Sequence, residues 1–211
     1  MKVLILVEGE TEEKFVKEIL CPYFETKGVY LIPINLYGVS TYKKIKEELN
    51  SLLKDSSAIL VTTMIDLYRI PSDFPNKASV SSSTEYRDKV NQLEGHLSVD
   101  INKDNFIPYL QLHEFESLLF SEVSHFSKIP GVGNKVNLLN NVLNNLEPEE
   151  INELPNTAPS KRIINIIGKE YRKNVHGIIV AKAIGLTKMR EKCPHFNEWI
   201  NKIEKRCSII V

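Results

Sequence analysis

With 211 residues the chain is long enough for one sizeable core, or for one domain with a smaller appendage. Lys and Arg balance Asp and Glu at 27 each, and no apolar run approaches the length of a transmembrane helix, so a helical membrane protein is excluded. Cys21, Cys193 and Cys207 are far apart without a CxxC pair, which argues against a disulfide framework or structural zinc, and the N-terminus lacks a secretory-signal pattern, so a cytoplasmic protein is expected.

Residues 3–7 are consecutive aliphatics, the pattern of a strand buried on both faces. Glu8 ends this strand, at the carboxyl edge where open α/β sheets bind ligands. Gly9 permits a tight turn, and the spacing of Phe15, Val16, Ile19 and Leu20 predicts a helix from about Thr11. Glu12 then lies in its first turn, where its carboxylate and that of Glu8 can face one point. Glu10 and Glu13 read as acids that complement the helix dipole.

Residues 29–36 read as a second strand, and Pro33 suggests an edge position. Ile45, Leu49, Leu52 and Leu53 set the inner face of a helix over 42–53. Residues 58–65 repeat the buried-strand pattern and end in Asp66. A loop over 71–83 and a helix over 84–97 follow, then a strand over 106–112 that runs straight into His113, Glu114, Phe115 and Glu116. Strands alternating with helices predict a parallel sheet, which gathers the carboxyl ends of its strands, and with them Glu8 and Asp66, at one edge. A helix whose buried face includes Phe115, Leu118 and Leu119 is expected next, with Glu114 and Glu116 pointing in different directions.

The opening Val-Glu-Gly-Glu-Thr-Glu resembles the first motif of Toprim domains, in particular the nuclease-like branch found in overcoming-lysogenization-defect proteins. In that branch a strand-ending Glu and a second Glu four residues on are metal ligands, positions matched by Glu8 and Glu12. The resemblance widens downstream. Thr63-Met64-Ile65-Asp66-Leu67-Tyr68, Leu112 to Phe120, Ala158-Pro159-Ser160-Lys161-Arg162, His176-Gly177 and Cys193-Pro194-His195-Phe196 resemble successive motifs of one prokaryotic Toprim-like family of unknown function. Its genes are often paired with AAA-type ATPases and associated with phage defence.

The resemblance implies magnesium or manganese held by Glu8, Glu12, Asp66 and a glutamate of the third acidic strand end. Glu116 is the preferred ligand there and Glu114 the alternative, while His113 reads as a hydrogen-bonded structural residue. It also implies Lys161 as a phosphate-stabilising lysine, with Arg162 beside it as a nucleic-acid contact; helix capping by Ser160 and two solvated cations are the alternative. One departure stands out. Toprim enzymes commonly carry Asp-x-Asp where this chain has Asp66-Leu67-Tyr68, so the second acid is absent or supplied elsewhere, by Asp73 or the acids after His113.

The hairpin over 129–135 is similar to that of helix-hairpin-helix DNA modules; a glycine-rich break between two helices is the other reading. No GxxxxGK[ST] spacing occurs, so ATP hydrolysis would need a partner. His176, His195 and Trp199 read as core, with Phe196, Trp199, Ile200 and Ile203 forming the buried face of a terminal helix. Residues 1–158 hold 15 basic and 23 acidic side chains, residues 159–211 hold 12 and 4, an arrangement for binding phosphate beside a metal or for simple mutual neutralisation.

Together these features define an α/β fold, a Toprim-like open parallel sheet flanked by helices, with a core over 1–122 and a basic helical extension over 123–211 packed on it. The expected function is a magnesium- or manganese-dependent nuclease acting on DNA or RNA, with an AAA-type ATPase as partner. A non-catalytic interaction or nucleic-acid-binding module is the alternative.

Overall fold

The first strand, β1 (Lys2–Val7), sends Val3, Ile5 and Val7 into one apolar layer and Leu4 and Leu6 into the other, so both of its faces are covered. The computed structural model, which describes residues 1–38, 41–80, 85–151 and 157–208, places β1 between β2 (Tyr30–Asn35) and β3 (Ala58–Asp66), both parallel to it. Two short strands, β4 (Phe106–Ile107) and β5 (Leu110–Gln111), pair in parallel with successive parts of β3. The order is β2-β1-β3-β4, with β2 and its Pro33 at the edge. The chain thus leaves β1 on one side and returns on the other, which makes the carboxyl ends of β1 and β3 the topological switch point of the sheet.

The expected strand over 106–112 is two pieces because Pro108 has no N–H to give. Thr63 bridges the gap: its Oγ1 accepts from Tyr109 N–H at 2.8 Å and donates to the Tyr109 carbonyl at 2.7 Å. The side chain replaces the missing ladder bonds, so the last acidic strand end stays in register with β3.

One face of the sheet carries α3 (Tyr42–Leu52) and α4 (Tyr86–Ile101), through Tyr42, Ile45, Leu49, Val90, Leu93 and Leu97. Of the loop and helix expected there, residues 81–83 and Thr84 lie outside the described residues. The other face carries α1 (Glu10–Phe15), a π-turn (Val16–Leu20) and α2 (Cys21–Glu25). Pro22 explains the wide turn: its ring crowds the carbonyl four residues back, and Cys21 N–H bonds instead to Val16 O.

On the same face lie α5 (Val136–Leu143), α6 (Pro159–Ile167), α7 (Ile178–Ile184), α8 (Leu186–Lys192) and α9 (Pro194–Ser208). One apolar cluster runs from Val3 through Phe120 and Val123 to Trp199, across the position between residues 122 and 123. The helix expected after His113 is instead a run of 3-10 turns, Phe115–Lys128, broken at Glu122 (φ −154°, ψ 90°). Ser117 N–H bonding Glu114 O at 3.0 Å begins this tighter winding. No helix among the described residues is long and apolar enough to cross a membrane.

The N-terminus of α9 is held by Glu149, whose buried carboxylate accepts from the His195 and Phe196 amides at 2.9 Å each. Trp199 is 1% exposed, stacks on Tyr109 with centroids 4.3 Å apart, and donates its indole N–H to Thr62 Oγ1 on β3 at 2.8 Å. Trp199→Ala therefore removes ring packing and leaves a buried hydroxyl without its donor, and should lower stability by roughly 3–5 kcal/mol. Urea unfolding checks this; a loss well under 1 kcal/mol would show that the contact between α9 and the sheet is dispensable.

Candidate active site at the carboxyl edge of the sheet

β1 and β3 pair with Val7 opposite Met64, so Glu8 and Asp66, which follow and end these strands, emerge together at the switch point. The pairing of Asp66 with Gln111 brings the segment after β5 to the same edge. The Phe115 amide donates to Asp66 Oδ1 at 3.1 Å, which ties that segment to β3. Glu12, in the first turn of α1, folds back so that its Oε2 accepts the Gly9 amide at 3.1 Å.

His113 is the pivot of the third acidic strand end. It is fully buried and takes a left-handed backbone conformation (φ 63°), its Nε2 meets the Glu149 carbonyl at 3.0 Å, and its ring packs edge-on to Tyr86. Its own carbonyl accepts from Tyr68 N–H at 3.2 Å. His113 thus has the structural role expected of it. Beyond it Glu114 is extended and Glu116 lies in the first 3-10 turn, so the two carboxylates expected to diverge instead meet at one cation.

That cation is Lys173. Its Nζ lies 2.9 Å from Glu116 Oε2 and 3.7 Å from Glu114 Oε1. Glu114 Oε2 accepts the Ser160 amide at 3.0 Å, at the Pro-initiated start of α6. Ser160 is thus capped rather than capping. Lys161 follows on the exposed side of α6, and Arg162 donates from Nε to the Thr157 carbonyl at 2.6 Å, so neither makes the ion pair with the acids. The site lysine comes from a π-turn (Lys173–Gly177) in which the sequence motif, His176-Gly177, does not include the lysine.

The environment of these acids is unusual. Glu12, Asp66, Glu114 and Glu116 are all buried, and two carboxylate oxygens, Glu8 Oε2 and Glu116 Oε1, are buried without a hydrogen-bond partner. The Tyr171 hydroxyl, near Glu116 and Glu114, is likewise buried and unsatisfied. Burial raises the Glu8 and Glu12 pKa values above the usual carboxylate range, and raises Asp66 well above it, with repulsion from Glu12 and Glu8 adding to the Asp66 shift. Glu116 is pushed up to about 7 by burial, with Lys173 pulling the other way. Burial also disfavours the Lys173 ammonium, but Glu116, Glu114 and Asp66 outweigh it and hold the lysine charged.

These side chains offer hard oxygen donors, orphan acceptors among them, which suits magnesium or manganese rather than a soft metal. Among the described residues, however, no three His, Cys, Asp or Glu side chains are spaced to hold an ion as they stand. Binding an ion would require the carboxylate oxygens to draw closer together.

Other sequence candidates are committed elsewhere. Asp73 accepts the Tyr42 amide at the start of α3, at 3.0 and 3.1 Å, so it is not the missing second acid of the cluster. Tyr68 is exposed on a 3-10 turn beside the site. Lys135 of the glycine-rich hairpin donates to the Ile167 carbonyl at 2.9 Å, capping the C-terminus of α6. His195 is core, with Nε2 3.0 Å from Glu94 Oε1. His176, expected in the core, is only partly buried, because its π-turn runs along the rim of the site, and its Nδ1 accepts Arg172 N–H at 3.1 Å.

The fold and the site define an α/β protein with a buried acidic cluster and one paired lysine at the switch point of a parallel sheet. The chain belongs to the family described as domain of unknown function DUF4276, whose model matches residues 7–204. No curated protein and no solved structure shows significant similarity to it.

The raised carboxylate pKa values predict a pH dependence. Below pH 4.5 the folded and unfolded chains both keep the Glu116 proton; between 4.5 and about 7 the unfolded chain releases it while the folded chain holds it. Ionisation then favours the unfolded state, and Glu8, Glu12 and Asp66 act with the same sign. The urea midpoint of metal-free protein should fall from pH 5 to pH 7.5, and Glu116→Gln should flatten that fall. A midpoint that rises over this range would contradict the buried acidic cluster.

Proposed function

We propose that this protein is a Toprim-type, magnesium- or manganese-dependent nuclease that hydrolyses phosphodiester bonds of DNA or RNA. It would act in the cytoplasm, in phage defence, beside an AAA-type ATPase. The observation that carries the reading is the pair of buried, unpartnered carboxylate oxygens on Glu8 and Glu116, at a sheet edge where Glu12, Asp66 and Glu114 also gather. Buried carboxylate oxygens without donors are costly unless a proton or a cation completes them.

Glu8, Glu12, Asp66 and Glu116 would hold the metal, with Glu114 adjoining. The ion would supply an activated water and charge to stabilise the transferring phosphate. Asp66 is tethered to this edge by the Phe115 amide, and Glu12 by the Gly9 amide. The Lys173 ammonium, paired with Glu116, and Arg69 near Glu8 are cations that could meet phosphate oxygens at the acids, with Lys161 and Arg162 on the adjoining start of α6 as nucleic-acid contacts.

A second reading, a Toprim-fold interaction or nucleic-acid-binding module without chemistry, is favoured by one observation: the position expected to carry a second acid holds Tyr68, an exposed phenol in place of a carboxylate. Calorimetric titration with magnesium and manganese separates the two, alongside cleavage assays on single-stranded DNA, duplex DNA and RNA. Glu8→Gln keeps the side-chain shape and removes a charge, so it should weaken metal binding and cleavage together, each by about tenfold or more, while the fold survives. Wild-type protein that binds neither ion and cuts nothing, even with its neighbouring ATPase, would put the non-catalytic reading first.

A further inference from the structure

The lysine of the site enters it from the surface. The Lys173 side chain is 38% exposed, whereas the Glu116 side chain it reaches is fully buried and that of Glu114 is 5% exposed. Lys173 holds Oε2 of Glu116, and Oε1 of the same carboxylate has no partner. Glu8 from β1, Glu12 from α1, Asp66 from β3, and Glu114 and Glu116 after β5 all lie within electrostatic reach of this one ammonium.

We propose that Lys173 is the resident counter-cation of the acidic cluster, occupying in the metal-free protein the place that a divalent cation takes over. On binding, the ion claims the Glu116 carboxylate, beside Glu114, and the displaced ammonium swings to the mouth, where it can meet an incoming phosphate. This rests on the metal-dependent reading above and adds to it an exchange of one cation for another.

Two physical arguments support the exchange. A divalent ion and an ammonium on the same carboxylates, in a site of low dielectric, repel strongly, so both cannot keep their closest positions. The exchange also needs no backbone movement. The next residue, Asn174, is anchored to α1 twice: its Nδ2 donates to Glu10 Oε2 at 3.1 Å and its carbonyl accepts from Lys14 Nζ at 3.2 Å. The backbone of the π-turn is fixed while the four-carbon lysine stem, partly in solvent, is free to change rotamer.

The test uses the full chain, with manganese alone as probe. Lysines are acetylated with an amine-reactive reagent in metal-free and manganese-saturated protein, and modification at Lys173 is followed by mass spectrometry, with exposed Lys161 as internal reference. Manganese should speed labelling of Lys173 several-fold and leave Lys161 unchanged. In parallel, calorimetry on Lys173→Gln and Lys173→Met, with folding checked by circular dichroism, should show manganese binding about tenfold tighter than wild type.

Manganese binding to wild type with Lys173 labelling unchanged or slowed, or with folded variants that bind no more tightly, would overturn the exchange and leave the metal reading standing. Absence of binding to wild type and variants alike would overturn the metal reading, and the exchange with it. Binding by the variants alone would support occupancy of the cation position by the lysine.

Discussion

The contact between the Lys173 ammonium and the Glu116 carboxylate is the one on which the acidic edge of this sheet depends. An uncompensated buried carboxylate costs several kcal/mol, and here Glu8, Glu12, Asp66, Glu114 and Glu116 share one region with Lys173 and, on the Glu8 side, Arg69. The imbalance is met in part by protons, which Asp66 and Glu116 hold more tightly because burial raises their pKa values, and in part by backbone amides from Gly9, Phe115 and Ser160. A folded protein that keeps such a cluster gives up stability at the one place where its sheet topology opens a crevice.

The scaffold around the cluster is built to resist that repulsion. Thr63 bridges the break at Pro108 and keeps β5 in register, Trp199 fastens α9 to β3 through Thr62, and Glu149 caps α9 while its carbonyl meets the ring of His113. These contacts are polar links inside apolar surroundings, where each is electrostatically stronger than in water and costly to leave half made. The left-handed backbone at His113 is held by this network and aims the two following glutamates inward. Elements of the C-terminal half therefore do more than cover the sheet: α6 supplies an amide to Glu114, and the turn before α7 supplies the lysine.

Two features of the site follow from local chain chemistry. Glu12 closes on the Gly9 amide, three residues away, within its own helix start. Pro159 starts α6 and leaves the next amide, that of Ser160, free to serve Glu114. The other contacts are long-range, and Lys173 reaches across 57 residues to Glu116.

The sequence by itself determined the strands, their parallel pairing, the edge place of β2 and the meeting of Glu8, Asp66 and the acids after His113 at one edge. Unbroken aliphatic runs that end in a carboxylate are local patterns, and alternation with helices leaves few topologies for them. The 3-10 run after Phe115 and the split at Pro108 were not legible, because short apolar stretches fit several windings and a side chain such as Thr63 can replace ladder bonds. Only the tertiary structure decided which lysine serves the acids. Lys161 has the motif and the neighbouring helix start, yet it follows the amide bound to Glu114 and stays exposed, while Lys173 lies just outside the His176-Gly177 motif of its own turn. Charge pairing of buried groups depends on where the chain passes in space, and residue spacing carries no record of it.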